Sequence, residues 1–434
     1  MNNRSPIVVL MLVCFVGVAR AQQWPQWRGP NFNGSSEAKN LPAKLDDSTK
    51  RWEVDLPGIG AGTPIVWNDR IFLTGIDDNS RKLLATCIDR KDGHTIWQKE
   101  VGDGFQKNSN NNLAAPSALT DGKLAWFYYG TGDLVAFDFD GNQKWARNIQ
   151  KDYGPFHMNW IYGSSPLLFG GKLYIQVLHR DVPVRGPADG SPKDSYLLAV
   201  NPETGKDIWR VIRPNDAREE TKEAYSTPIP LTHDGKTEIV VIGGDCVTAH
   251  DPETGKEIWR CGGWDPQKIT HWRLVASVAT INDLVIACPP KGGAIFAIKD
   301  GGSGDVTDSK QVVWKSKEMT SDVCVPLIYE NHAYVLDGDK KKFYCVEPAT
   351  GKILWQGSLP SRPVFRASPT GADGKIYCMN EAGDIWILAA DHFEILSTLK
   401  TNGGRTRASI ALVDGGVFVR AGTKLLAFAS KGPI

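Results

Sequence analysis

A short phrase closing on tryptophan, a Ser/Thr-Pro pair recurring ahead of it, and two chain ends that complement each other together predict an all-β fold. That fold is an eight-bladed propeller of four-stranded antiparallel blades. The phrase is clearest as NPETGKDIW at Asn201–Trp209, DPETGKEIW at Asp251–Trp259 and EPATGKILW at Glu347–Trp355. Looser copies close at Trp52, Trp97, Trp145 and Trp314. The tryptophans fall about 40 to about 65 residues apart, the spacing of propeller-type repeats.

Each phrase reads as a tight turn between two strands. Asp or Asn with Pro opens it, Gly supplies a positive-φ position, and an apolar strand follows. The tryptophan of that strand is expected to pack between neighbouring sheets. Three further strands precede it. An inner strand A starts near Ser/Thr-Pro, as in GTPIVW from Gly62, SSPLLF from Ser164, STPIPL from Ser226 and ASPT from Ala367. Strand B then begins at a fixed offset: Pro64 to Ile71, Pro166 to Leu173, Pro326 to Ala333 and Pro369 to Ile376. Strand C is represented by LLAV at Leu197, FYCV at Phe343 and LLAF at Leu425. Regular short strands between turn signals define the class, and the fixed period selects a propeller within it.

The ends complete the count. KRWEVDL at Lys50–Leu56 is a lone tryptophan strand, and Ala408–Ala429 offers strands A, B and C with no tryptophan strand behind them. One blade built from both ends closes the ring and leaves no open edge. A degenerate repeat around Ser397 brings the total to eight; without it the count is seven.

The first residues read as an export signal. Arg4, the apolar run IVVLMLVCFVGV and Ala19-Arg20-Ala21 supply the three parts of a cleavable leader. An uncleaved anchor is the alternative. Residues 1–21 are therefore expected to be a signal peptide, 22–49 an extended, peripheral arm carrying Trp24 and Trp27, and 50–434 the propeller. The mature chain is expected outside the cytoplasm, periplasmic or otherwise extracytoplasmic, with no stable membrane insertion. Net charge is +1 for the whole chain, which gives no support for nucleic-acid binding. The cysteines show neither a disulfide framework nor zinc spacing, and no metal site is expected. No GxSxG motif or other nucleophile constellation is present.

The D/N-P-x-T-G-K-x-x-W phrase is similar to the repeat signature of the PQQ-like β-propeller family, and the resemblance runs roughly from Lys50 to Ser430. The opening WPQWRGP at Trp24–Pro30 also resembles the start of exported PQQ-like propellers of planctomycete-type bacteria. The family implies two roles. Quinoprotein dehydrogenases use pyrroloquinoline quinone (PQQ) with Ca²⁺, an Arg, stacking aromatics and an Asp. The other branch, a propeller of the outer-membrane barrel assembly machinery, is a protein-binding scaffold. This chain has no adjacent cysteines and no CxxCH, and no quinone or Ca²⁺ ligand carries over residue by residue. The leading reading is a non-catalytic scaffold for an envelope protein or a small anionic ligand. A PQQ-dependent alcohol or sugar dehydrogenase is the alternative.

A site is expected where the D-to-A and B-to-C loops gather at the channel mouth. The candidates for a ligand funnel are Asn111, His157, Trp160, Tyr162, Tyr225, His271, Trp272, Arg273, Asp322, Arg366 and Arg407. Arginine forks suit carboxylate or phosphate, and the aromatic faces suit planar rings. The long B-to-C loop His179–Ser195, with His179, Arg180, Asp181 and Arg185, reads as a lid or partner flap. Lys299–Lys310 reads as a flexible Gly/Ser/Asp loop on the opposite face.

Overall fold

The computed structural model describes residues 23–104, 111–184, 187, 190–191, 193–290 and 292–430. The expected leader and Arg185 lie outside the described residues. The described residues form eight sheets, seven of four antiparallel strands and one in which a fifth, parallel strand joins four antiparallel ones, each running outward from a short inner strand. The inner strands include Ile65–Trp67, Leu167–Phe169, Leu327–Tyr329 and Ala411–Val413. In the last blade the outer strand is Lys50–Asp55, paired antiparallel with Lys424–Ala429 so that Trp52 faces Ala427. The repeat around Ser397 is a full blade, with Ile395–Leu399 as its outer strand.

The recurrent phrase is explained by contacts between blades. Asn201 Oδ1 accepts the backbone N–H groups of Glu203 and Thr204, and Asp251 Oδ1 does the same for Glu253 and Thr254. Those bonds shape the turn and expose the following glycine, which sits at φ 69° in Gly205 and 73° in Gly255. The tryptophan of the preceding blade lies flat on that glycine: a Cβ on Gly205 would stand 2.6 Å from Trp145, and one on Gly255 2.6 Å from Trp209. The indole N–H then donates to a carbonyl of the same turn, Trp145 and Trp209 to Pro202 and Pro252, Trp314 to Pro348. Gly and Trp are thus two halves of one inter-blade joint.

One joint differs. Where blade five should supply the phrase, it carries the Lys299–Lys310 insertion. Trp259 instead donates to Glu238 of its own blade at 2.8 Å. The insertion is ordered rather than loose: Gly304–Asp305 adds as a fifth strand, parallel to Glu257–Gly262. It covers an outer edge that would otherwise show unpaired backbone groups.

At the inner ends a second set of joints links blade to blade. The backbone N–H two residues before one inner strand donates to the Ser or Thr hydroxyl at the same place in the next blade. The links are Thr63 to Ser117, Ser117 to Ser165, Ser165 to Thr227, Thr227 to Ser277, Val325 to Ser368, and Ser409 to Thr63, at 2.7–3.2 Å. The Ser/Thr of the Ser/Thr-Pro signal is this hydroxyl. At Val325 no hydroxyl is available.

The arm departs from expectation. It is not peripheral: it runs along the inner edges of blades one to three and crosses the channel to blades six to eight. Trp24 exchanges backbone bonds with Val66, Pro25 accepts from Thr120, and Gln26 pairs through its amide with Leu168. Beyond the crossing, Ile328 donates to Asn33, Gly371 to Gly34, and Ser36 Oγ to Leu412 O. Arg28 sits at the crossing, fully buried, with Nη1 on Pro369 O and Nη2 on Asn33 O and Pro326 O at 2.8–2.9 Å. Burial lowers its pKa to about 9, which leaves it charged at neutral pH. The inner strands have a free edge toward the channel, and the arm satisfies part of it. All seven cysteines among the described residues are buried and unpaired.

Two predictions follow from these joints. Deleting Lys50–Asp55 leaves the Lys424–Ala429 edge open and removes Trp52, so thermal unfolding shifts downward and light scattering rises; an unchanged melting temperature would show another mode of closure. Trp24 is fully buried whereas Trp209 is half-buried. Trp24→Ala is therefore expected to cost about 3–5 kcal/mol in chemical denaturation and Trp209→Ala less, the reverse of the ranking a peripheral arm implies.

Candidate functional site

The arm turns the channel into a cup. A cavity of about 350 Å³ opens at the D-to-A loop face, and Trp27 of the arm contributes to its lining. Its wall is set by the position two residues before each hydroxyl-bearing joint. In the eight blades that position holds Ala61, Ala115, Gly163, Tyr225, Val275, Val323, Arg366 and Arg407, and all eight line the cavity. Small residues on blades one to three leave room; arginines on blades seven and eight face them. Asn111, Trp160 and Arg273 add to the lining.

The cations are held in place by carboxylates outside the lining. Arg366 Nη2 meets Asp339 at 2.7 Å, and Arg407 Nε donates to Glu381 at 2.9 Å. Arg273 lies 3.6 Å from Asp322 and 4.0 Å from Glu220. Burial opposes the charge of Arg366, but the Asp339 bond outweighs it and the pKa rises; burial prevails at Arg407, whose pKa is lowered despite Glu381. These pairs fix the guanidinium groups at the rim without filling the cup.

Of the residues expected at the funnel, Asn111, Trp160, Tyr225, Arg273, Arg366 and Arg407 line one cavity. Tyr162 does not: it is buried in the core, and its hydroxyl donates to Gln176 O at 2.6 Å. Asp322 stands behind Arg273. His271 is exposed on the rim, and Trp272 lines a separate groove with Trp264 and Phe296. His157 lies beneath the long loop, with Nε2 2.8 Å from Ser191 Oγ. Sequence reasoning missed Trp27, whose approach from the far end of the channel has no periodic signal.

The long loop is anchored at its base. His179 is buried, its Nδ1 accepts the His157 N–H at 3.2 Å, and its Nε2 lies 3.1 Å from Asp194 O. Arg180 pairs with the buried Glu223, and Lys222 with Asp181 at 3.1 Å. Glu223 also accepts from the Asn159 N–H at 2.9 Å and from the Tyr225 hydroxyl. Tyr225 accepts from the Trp160 N–H at 3.2 Å, and Trp160 Nε1 donates to Glu220 at 2.8 Å. A continuous polar chain therefore runs from the loop base to the wall of the cup. Burial raises the pKa of Glu223 despite its donors.

The donor set tests the quinone expectation. Arginines suit the carboxylates of such a cofactor, yet the cavity lining offers amide and hydroxyl oxygens and no carboxylate for its calcium. The carboxylates nearby, Asp339, Glu381, Asp322 and Glu220, are paired with arginines. The residues present do not fit a calcium–quinone pair. Among the described residues, the one three-residue group with metal-ligand spacing is Asp89, Asp92 and His94, in a C-to-D turn away from the cup. No described helix is long and apolar enough to cross a membrane.

A closed ring of eight PQQ-type repeat blades around a cup defines the class: a quinoprotein-like β-propeller. The chain belongs to the family described as outer membrane protein assembly factor BamB, whose model matches residues 36–155, 193–297 and 303–432. Among solved structures it is similar to BamB from Moraxella catarrhalis, with 12% identity and a TM-score of 0.60 over 88% of this chain and 99% of that one. It is also similar to the quinohemoprotein alcohol dehydrogenase from Comamonas testosteroni, with 14% identity and a TM-score of 0.64 over 96% and 82%. A europium-containing methanol dehydrogenase matches with 11% identity and a TM-score of 0.66 over 94% and 98%. At these identities the likeness is one of fold. No curated protein matches in sequence.

Burial lowers His179 to a pKa of about 4 from an ordinary 6.5. Its folded value lies below its unfolded one, so its contribution to stability is complete above about pH 6.5 and is lost as pH falls toward 4. His250, also lowered to about 4 by burial, shares that window. Compared with the wild type, His179→Gln is expected to lose less stability between pH 7 and pH 4.5 in urea unfolding; parallel losses would remove His179 from the acid response.

Proposed function

We propose that this protein is an extracytoplasmic, non-catalytic binding scaffold whose arginine-rimmed cup takes an anionic group, presented by a small ligand or by a segment of an envelope protein. One observation carries the reading: Arg273, Arg366 and Arg407 converge from three blades on a cavity bottomed by Trp27 and walled opposite by Ala61, Ala115 and Gly163. Pre-positioned guanidinium groups recognise carboxylate or phosphate with little ordering cost. Trp160 and Tyr225 add flat faces beside them. Membership in a family described by an outer-membrane assembly factor supports the location and the scaffold role. The dehydrogenase alternative shares the fold, but fold alone does not carry chemistry.

The test is the double variant Arg366→Ala/Arg407→Ala. Each lost charged hydrogen bond is expected to weaken binding of a dicarboxylate or acidic peptide by about 1.5–3 kcal/mol, read by calorimetry, while the melting temperature changes little. Capture of a partner from envelope extract should fall more steeply with salt for the wild type than for the variant. Dye-linked oxidation of alcohols or sugars after addition of PQQ and Ca²⁺, abolished in the variant, would overturn the non-catalytic reading.

A further inference from the structure

The cup has a second layer of donors beneath its arginines. The hydroxyl-bearing position at the start of each inner strand lies two residues further along the chain than the rim position, on the side away from the mouth. Five residues at that position, Ser117, Ser165, Thr227, Ser368 and Ser409, line the cavity. All five are buried, between 2% and 8% exposed.

The joints between blades use only part of what these hydroxyls offer. A serine or threonine hydroxyl has one proton to donate and two lone pairs to accept with. Ser117, Ser165, Thr227 and Ser368 each accept one backbone N–H, at 2.9–3.0 Å, and none of the four donates its proton to a described residue. Ser409 is barer still. Its backbone N–H donates to Thr63, but its hydroxyl is bonded to no described residue, as donor or as acceptor. Five buried hydroxyl protons on one cavity therefore lack a protein acceptor. A buried polar group needs a partner, and here it comes from solvent or from a ligand.

We propose that the ligand of the cup is a small dicarboxylate held in two layers, one carboxylate by the arginine rim and the other by the hydroxyls beneath. This rests on the anion-binding reading of the cup and sharpens it. Both layers call for acceptor oxygens. The guanidinium groups of the rim only donate. In four of the five hydroxyls the oxygen already accepts a backbone N–H, which strengthens the remaining O–H as a donor. A carboxylate only accepts, and it takes several donors at once. The two layers also cover different sides. Arg366 and Arg407 stand on blades seven and eight, while Ser117, Ser165 and Thr227 stand across the channel on blades two to four. Among the described residues no acidic side chain lines the cavity, so nothing there repels a second negative charge. A ligand with a single carboxylate, or one acidic side chain of a partner protein, leaves one layer unmet.

Calorimetry on the full chain tests this with succinate and with butyrate, which has the same carbon count and a single carboxylate. Succinate is expected to bind at least about tenfold more tightly. Ser409→Ala should weaken succinate at least about fivefold and leave butyrate unchanged. Its melting temperature should match the wild type, because the lost hydroxyl takes part in no joint. Ser409→Thr should restore succinate binding, since Thr63 and Thr227 occupy the same place in blades one and four. Arg407→Ala should weaken both acids. Equal affinity for the two acids, or no effect of Ser409→Ala on succinate, would overturn the two-layer assignment, while loss in Arg407→Ala would still report anion capture at the rim. Binding of an acidic peptide but not of succinate would also overturn it and leave the anion-binding reading in place. Binding of neither acid nor acidic peptide would remove that reading as well.

Discussion

The hydroxyl-to-amide link that joins the starts of successive inner strands at six of the eight junctions is the interaction on which the rest of the propeller depends. It satisfies a backbone N–H that closure of the ring takes out of water, and leaving such a group unpaired would cost about 1–3 kcal/mol each. Because donor and acceptor occupy the same place in successive blades, the link also fixes where each inner strand begins relative to the next. Thr63 closes the cycle by accepting from Ser409, so the last blade is held in register with the first by the same bond that holds the others. The wall of the cup inherits this regularity: one residue per blade, two positions upstream, faces the axis.

That arrangement separates scaffold from specificity. The joints need only a hydroxyl, a glycine and a tryptophan, and leave the upstream position free to vary. In this chain it ranges from Gly163 to Arg407 without disturbing the blades. A fold so divided can serve proteins as different as an assembly factor and alcohol dehydrogenases, whose structures this one resembles at low identity. The arm adds a second source of variation, since it decides whether the channel is a pore or a cup.

The blade count and closure were legible because their signals are local and repeat: a turn phrase, a Ser/Thr-Pro pair, a strand lacking partners at each end. Arg366, Arg407 and Tyr225 were legible as mouth residues for the same reason, since the D-to-A loop could be placed from its neighbours. Tyr162 and Asp322 were misread because alternation decides their direction. Both fall three residues before the joint, at Ser165 and Val325, and turn away from the cavity that Gly163 and Val323 face. The arm was opaque. Its partners, Val66, Leu168, Ile328 and Gly371, lie far along the chain, and its bonds are mostly to backbone, which leaves no side-chain pattern to read. The ordering of Gly304–Asp305 was hidden in the same way, because a parallel edge pairing leaves no mark in a Gly- and Asp-rich stretch.

The shared blade also has a kinetic meaning. Lys50–Asp55 is made early, but its only strand partner among the described residues is Lys424–Ala429, nearly the whole chain later. Every other blade pairs strands that are close in sequence and can form as the chain emerges. Ring closure is therefore the strand pairing of highest sequence separation among the described residues and bears the largest loop-closure entropy of the blades. Until it happens, the early strand remains unpaired, and the growing row of blades has an open face at each end. The species most exposed to misassembly is the nearly complete ring, and the speed with which Trp52 finds Gly93 and the last strand governs how long that species persists.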